Sequence, residues 1–298
     1  MRGWHYRLVS RFEDNQLAVA VQGSSIIARD GTRLALRQWP APDGASRGTV
    51  LIVHGLGEHS GRYEHVAARL RFRGFLPVAY DHRGHGRSEG SRGVLRNRDD
   101  FVQDLAKVVD AVRPTDGTPF TLLGHSMGGL IVAQFVADAV RPVDALVMSS
   151  PALAADLTGW QRMQLILSLA FVPNLAIPNG FDPSVISHDP AVVRAYKEDP
   201  LVHDRVSGRL VRTLMECGAH VLSRASSWTV PTLLIWAGDD HLVLPAGSAT
   251  FAALAPAGVV EAHRFPDAYH EIFNELDAEP VFATLERWLD SRFAVARR

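Results

Sequence analysis

Phe120-Thr121-Leu122-Leu123-Gly124-His125-Ser126-Met127-Gly128-Gly129 carries a strand, a tight turn and a helix in ten residues. Its first four residues form a continuous apolar run rather than an alternating one, the pattern of a strand buried on both faces. From Ser126 to Ala139 the chain is apolar almost all round, which predicts a buried helix. The junction is G-x-S-x-G in a strand–turn–helix context, the setting that gives this motif meaning. A serine on so tight a turn has strained dihedrals. Its neighbours two residues away crowd the turn, so Gly124 and Gly128 must lack side chains. The helix beginning near Ser126 aims backbone N–H groups and a partial positive charge at any anion that forms there. Ser126 is therefore a candidate nucleophile.

Working outward, similar apolar runs occur at Val50–Val53, Phe75–Tyr80, Ala145–Met148 and Thr232–Trp236. Helical periodicity lies between them, at Tyr63–Arg73 and Phe101–Val112, and an amphipathic helix of about Pro280–Phe293 closes the chain. Alternating strands and helices predict an α/β fold, a mostly parallel central sheet flanked by helices. The rhythm breaks at about Pro151. From there to about Ser227 no strand is expected, only helices interrupted by prolines. The predicted organisation is a core of residues 1–150 and 228–298, with a helical insertion of residues 151–227 after the sixth strand.

The bulk properties fit a soluble globular protein of one large domain or two smaller ones. The chain has 298 residues, 47% hydrophobic and 21% charged, with a net charge of −1. A near-neutral chain without a Lys/Arg run carries no nucleic-acid footprint. Cys217 is the single cysteine, so neither an intramolecular disulfide nor a cysteine metal site can be built. The N-terminal stretch lacks a secretory pattern, because Glu13 and Asp14 precede a short apolar piece, Leu17–Val21. The most lipophilic stretch, Met163–Pro178, is too short and too interrupted to span a membrane. These features predict a cytoplasmic protein.

A serine needs a base. In this kind of sheet the acid and then the histidine follow the serine in the chain. Six histidines follow Ser126: His188, His203, His220, His241, His263 and His270. Catalytic groups gather at the carboxyl ends of strands, and His270, in the loop after the run Val259–Phe265, is the one so placed. Thr232–Trp236 leads into Gly238-Asp239-Asp240. One of these aspartates should orient the imidazole and stabilise its charged form; Asp240 is favoured and Asp239 is the alternative.

The first buried run leads into His54-Gly55-Leu56-Gly57-Glu58-His59-Ser60-Gly61-Arg62-Tyr63. Glycines at a strand end admit close backbone approach. The expected oxyanion donors are the N–H of Met127 and one from this loop, that of Leu56. His54, Glu58 and His59 do not have the H-E-x-x-H spacing, and no metal and no cofactor are expected.

These residues resemble the monoacylglycerol lipase and lysophospholipase group of the α/β-hydrolases, the S33-like hydrolases. The similarity rests on HGLGEHSGRY at His54–Tyr63, YDHRGHGRSEG at Tyr80–Gly90, GHSMGG at Gly124–Gly129, AYKEDPLVH at Ala195–His203 and AYHEIFNE at Ala268–Glu275. It runs from about Gly31 to Leu289. The resemblance implies the α/β-hydrolase fold, a triad of Ser126, Asp240 and His270, and an oxyanion hole of Leu56 and Met127. It also implies a cap over the site and lipid esters such as monoacylglycerols as substrate. The group often has a glycine three residues before its aspartate, whereas Gly238 precedes Asp240 by two, which keeps Asp239 open.

The insertion is rich in apolar residues. Leu165, Leu169, Phe171 and Ile177 are expected to line an acyl tunnel, and the same face could rest transiently on a membrane surface. Each buried CH₂ of an acyl chain contributes roughly 0.8 kcal/mol. The expected activity is carboxylester hydrolysis through an acyl-enzyme. Amidase, aminopeptidase-type or perhydrolase chemistry on the same triad is the alternative.

Overall fold

The computed structural model describes residues 21–156 and 158–293; the reading of the N-terminal segment falls largely on residues 1–20, outside them. Eight strands form one sheet, flanked by helices. In chain order the first six are β1 (Val21–Ile27), β2 (Arg33–Gln38), β3 (Thr49–Val53), β4 (Leu76–Tyr80), β5 (Phe120–His125) and β6 (Ala145–Ser149). After the insertion come β9 (Thr232–Ala237) and β10 (Val260–Phe265). The spatial order is β1-β2-β4-β3-β5-β6-β9-β10. The pairings β1–β2 and β2–β4 are antiparallel and the rest are parallel.

The helices outside the insertion are α1 (Glu64–Phe72), α2 (Asp100–Val112), α3 (Met127–Ala137), α7 (Pro245–Leu254) and α8 (Glu279–Arg292). Two apolar cores cover the two faces of the sheet. Along β3 the side chains alternate between them. Leu51 and Val53 join Leu105, Leu130, Phe135 and Phe251 from α2, α3 and α7. Val50 and Ile52 join Val66, Leu70, Leu285 and Trp288 from α1 and α8. All five residues of β3 are buried, which explains why the strand reads as an unbroken apolar run.

Between β6 and β9 the chain leaves the sheet. It forms α4 (Gly159–Phe171), α5 (Pro190–Glu198) and α6 (Gly208–Arg224). It also forms two strands, β7 (Ala176–Pro178) and β8 (Arg205–Ser207), paired antiparallel. This corrects the expectation of no strand before Ser227. Three residues are too few to display a period of two, and β7 ends in a proline. Helix α4 opens on a capping box in which Thr158 and Gln161 satisfy each other's backbone N–H groups. Among the described residues no helix is long and apolar enough to cross a membrane.

Candidate active site

Strand β5 ends at His125 and α3 begins at Met127, so Ser126 alone makes the turn. Its φ is +54°, a left-handed conformation in a non-glycine residue, and strain of this kind collects at functional sites. Three backbone bonds hold it there. The Ser126 N–H donates to the Ser149 carbonyl, and its own carbonyl accepts from Leu130 and Ala152, all at 3.0 Å. Leu130 makes the first helical bond, which leaves the N–H of Met127 outside the helical ladder. The two flanking glycines are sterically required. A Cβ on Gly124 would lie 2.5 Å from the Gly128 carbonyl oxygen, and one on Gly128 would collide with the carbonyls of Val53 and His54.

His270 and Asp240 meet in the loops after β10 and β9. The Nδ1 of His270 lies 2.6 Å from Oδ2 of Asp240, with both side chains almost wholly buried. The other carboxylate oxygen, Oδ1, accepts the N–H groups of Leu242 and Val243 at 2.9 and 3.0 Å. Oδ1 is therefore committed to the backbone, and Oδ2 takes the Nδ1 proton of His270. Asp239 points elsewhere: it is exposed and lies 3.2 Å from His241. Of the two aspartates, Asp240 reaches the histidine. Burial alone would push the His270 imidazole down, but the charge and hydrogen bond of Asp240, with help from Glu271 and Glu58, hold its pKa above 6.5. Burial likewise works to raise the Asp240 carboxyl, and His270 with the two backbone N–H groups keeps it below 3.8.

Behind this pair lies His125. Its ring centroid is 4.8 Å from that of His270, and burial together with His270 pushes its pKa down to about 4. A neutral His125 leaves the neighbouring imidazole free to take up a proton.

The loop after β3 is held by buried charges. Glu58 accepts the Gly55 N–H at 2.5 Å and the Tyr63 hydroxyl at 2.7 Å. Arg62 donates to Glu58 at 2.9 Å and bridges both oxygens of Glu271 at 2.6 and 2.7 Å. His54 stays inside the core, its Nε2 accepting the His82 N–H at 3.0 Å. Among the described residues no group of three His, Cys, Asp or Glu side chains is placed to hold a metal ion.

Gly55, Leu56, Ser126, Met127 and His270 line one cavity of about 490 Å³, a volume within the usual range for a small-molecule site. One wall is a stripe on α6: Val211, Leu214, Met215, Ala219 and Leu222. Phe181, Ile186, Leu242 and Val243 extend the apolar lining, while Glu58, Glu271, His125 and Tyr196 supply its polar part.

The four residues expected to line an acyl tunnel are not among the lining of this cavity. Phe171 is 78% exposed and Ile177 50% exposed. Leu165 lies beside Gly208 of α6, so it packs helix on helix, and Leu169 shares its half-buried side of α4. The wall comes from α6 instead. Its apolar residues recur at helical spacing, and that signal was available in the sequence. Helix α4 is the most lipophilic of the insertion, yet lipophilicity says only that a face avoids water, not what it meets.

The chain has known relatives. Residues 44–277 match the family described as serine aminopeptidase, S33. A monoacylglycerol lipase from Mycolicibacterium smegmatis is 36% identical over 88% of this chain and 94% of its own. A human monoglyceride lipase is 32% identical over 91% of each chain. Among solved structures, a monoacylglycerol lipase from Paleococcus ferrophilus superposes with a TM-score of 0.79 at 32% identity, covering 87% of this chain and 99% of that one. A nucleophile turn, a buried His–Asp pair and a match across most of the chain lead to one assignment: this protein belongs to the serine aminopeptidase S33 family of α/β-hydrolases.

Proposed function

We propose that the chain is a serine carboxylester hydrolase that cleaves monoacylglycerols or related lipid esters to a fatty acid and an alcohol. The observation that carries this reading is the cavity itself, in which Ser126 and His270 share one space with an apolar stripe of α6. The named lipases among the relatives support the same substrate class.

The geometry supports this chemistry. The Nδ1 proton is spent on Asp240, so Nε2 of His270 is the basic nitrogen. It takes the hydroxyl proton as Ser126 Oγ attacks the ester carbonyl. The Leu56 and Met127 N–H groups hold the oxyanion. Collapse expels the alcohol, which receives the proton from His270 and leaves an acyl-enzyme. Water then repeats the cycle and frees the acid. Asp240 stabilises the imidazolium in both halves.

The insertion serves as a cap over this site. Trp160, Met163, Ile166, Leu167, Phe171, Val172, Leu175 and Ile177 are all exposed, an apolar face that suits transient contact with a lipid surface. The protein acts from the cytoplasm. Amidase or aminopeptidase chemistry is not favoured. An aminopeptidase needs a free carboxylate for the substrate ammonium, and both cavity carboxylates, Glu58 and Glu271, are tied to Arg62.

Ser126→Ala tests the reading. The variant should fold, fail to react with a fluorophosphonate probe, and lose hydrolysis of monoacylglycerols from butyryl to stearoyl. Parallel aminoacyl-arylamide assays should show little turnover in the parent. Ester hydrolysis surviving in Ser126→Ala, or arylamides preferred by the parent, would overturn it.

A further inference from the structure

The loop that carries Leu56 does not stand alone. Glycines at positions 55, 57 and 61 give it little stiffness of its own, yet oxyanion donors must be held within about 0.5 Å of the productive geometry. On its inner side Glu58 anchors the Gly55 N–H at 2.5 Å. Its outer side is anchored by the insertion.

Three contacts make that outer anchor. The His203 N–H donates to the Gly57 carbonyl at 2.8 Å. The two backbones lie so close that a Cβ on Gly57, whose φ is +80°, would collide with the His203 carbonyl oxygen. Next, Nδ1 of His59 accepts the Gly61 N–H at 3.1 Å. The proton therefore sits on Nε2, which donates to Oδ2 of Asp199 at 2.8 Å. Finally, the Arg62 guanidinium lies over the Tyr196 ring, 4.8 Å from its centroid. Asp199 is itself fixed, since its Oδ1 accepts the Leu201 N–H at 2.8 Å. Leu56 lies between the two anchored glycines.

We propose that Asp199 is a positioning residue: through His59 it seats the 199–203 turn on Gly57 and so fixes the aim of the Leu56 N–H, making oxyanion stabilisation depend on the docked insertion. This rests on the reading of Leu56 as an oxyanion donor. A donor lost outright costs about 10²–10³ in kcat. A donor left in place but loosely aimed should cost about tenfold.

The test is a double-mutant cycle on a soluble short-chain monoacylglycerol, with enzyme concentration taken from fluorophosphonate titration so that only folded sites count. Asp199→Ala and His59→Ala should each lower kcat about tenfold and change KM by less than about twofold. The double variant should be no worse than either single one. His59→Gln, which keeps a donor for Asp199, should recover most of the loss. Affinity for a trifluoromethyl ketone that mimics the tetrahedral intermediate should fall in step with kcat, while affinity for the product acid stays constant. The proposal is overturned if KM rises with kcat unchanged, if the two losses multiply, or if ketone affinity does not move. Ser126→Ala run alongside separates the failures. Hydrolysis in that variant removes the site reading itself, whereas an inert Ser126→Ala beside an unaffected Asp199→Ala removes only the brace.

Discussion

Replacing Asp240 by asparagine should cripple catalysis through the tautomer of His270 rather than through the fold. The carboxylate has two oxygens with separate duties. Oδ1 accepts two backbone N–H groups, from Leu242 and Val243, and Oδ2 accepts from Nδ1 of His270. Asparagine has one oxygen. Two backbone donors claim it, so its NH₂ must face His270. Nδ1 then has to accept, the ring proton moves to Nε2, and the nitrogen proposed to take the Ser126 proton is no longer a base. A wrong-tautomer histidine of this kind costs roughly 10⁴ in kcat, or about 5.5 kcal/mol. The neighbouring aspartate gives the internal contrast. Asp239 and His241 are about half exposed, 55% and 49%, and a pair in water contributes less than about 1 kcal/mol to anything. Asp239→Asn should therefore change kcat by less than about fivefold. The assay is kcat on a soluble ester at neutral pH, with circular dichroism to verify the fold. If Asp240→Asn retains kcat within tenfold of the parent, or if Asp239→Asn is as damaging, the two oxygens of Asp240 do not set the tautomer of His270.

Three further outcomes are expected. The acid limb of kcat/KM should lie above pH 6.5, because Asp240, Glu271 and Glu58 raise the His270 pKa and only the neutral ring accepts a proton; activity is lost as pH falls through that value, and a limb at or below 6.5 counts against the buried pair. Leu214→Trp fills part of the cavity wall and should shift preference to shorter acyl chains, with about fourfold in kcat/KM for each CH₂ turned out; an unchanged chain-length series would place the acyl chain elsewhere. Ile166→Asp combined with Phe171→Asp removes two exposed apolar side chains, each contributing about 2 kcal/mol when buried in lipid. Turnover of long-chain monoacylglycerol in vesicles should then drop more than tenfold, while a soluble ester is hydrolysed as before; equal loss on both substrates would point to damage to the packing of the insertion.

Much of the fold was legible because parallel strands buried on both faces write themselves as apolar runs. Thr49–Val53, Phe120–His125 and Thr232–Ala237 are such strands. The antiparallel strands β1 and β2 are less so, since the burial along β2 alternates and the signal is diluted. Ser126 and His270 could be located from motif and strand order. Asp240 could only be preferred, because adjacent aspartates on one loop differ in direction, and direction is a tertiary property. The insertion was less legible for a similar reason. Its strands are three residues each, and its most apolar helix faces outward.

Local sequence was enough for the strand–turn–helix that strains Ser126, for the order serine, aspartate, histidine, and for the class of fold. Those depend on local patterns: periodicity, glycine placement and chain order. Packing in three dimensions sets which aspartate reaches His270, that α6 rather than α4 lines the cavity, and that Asp199 and His203 reach across to His59 and Gly57. Each of these is a contact between segments far apart in the chain. Such contacts are set by how helices and loops pack together, and no local pattern encodes the angle at which they meet.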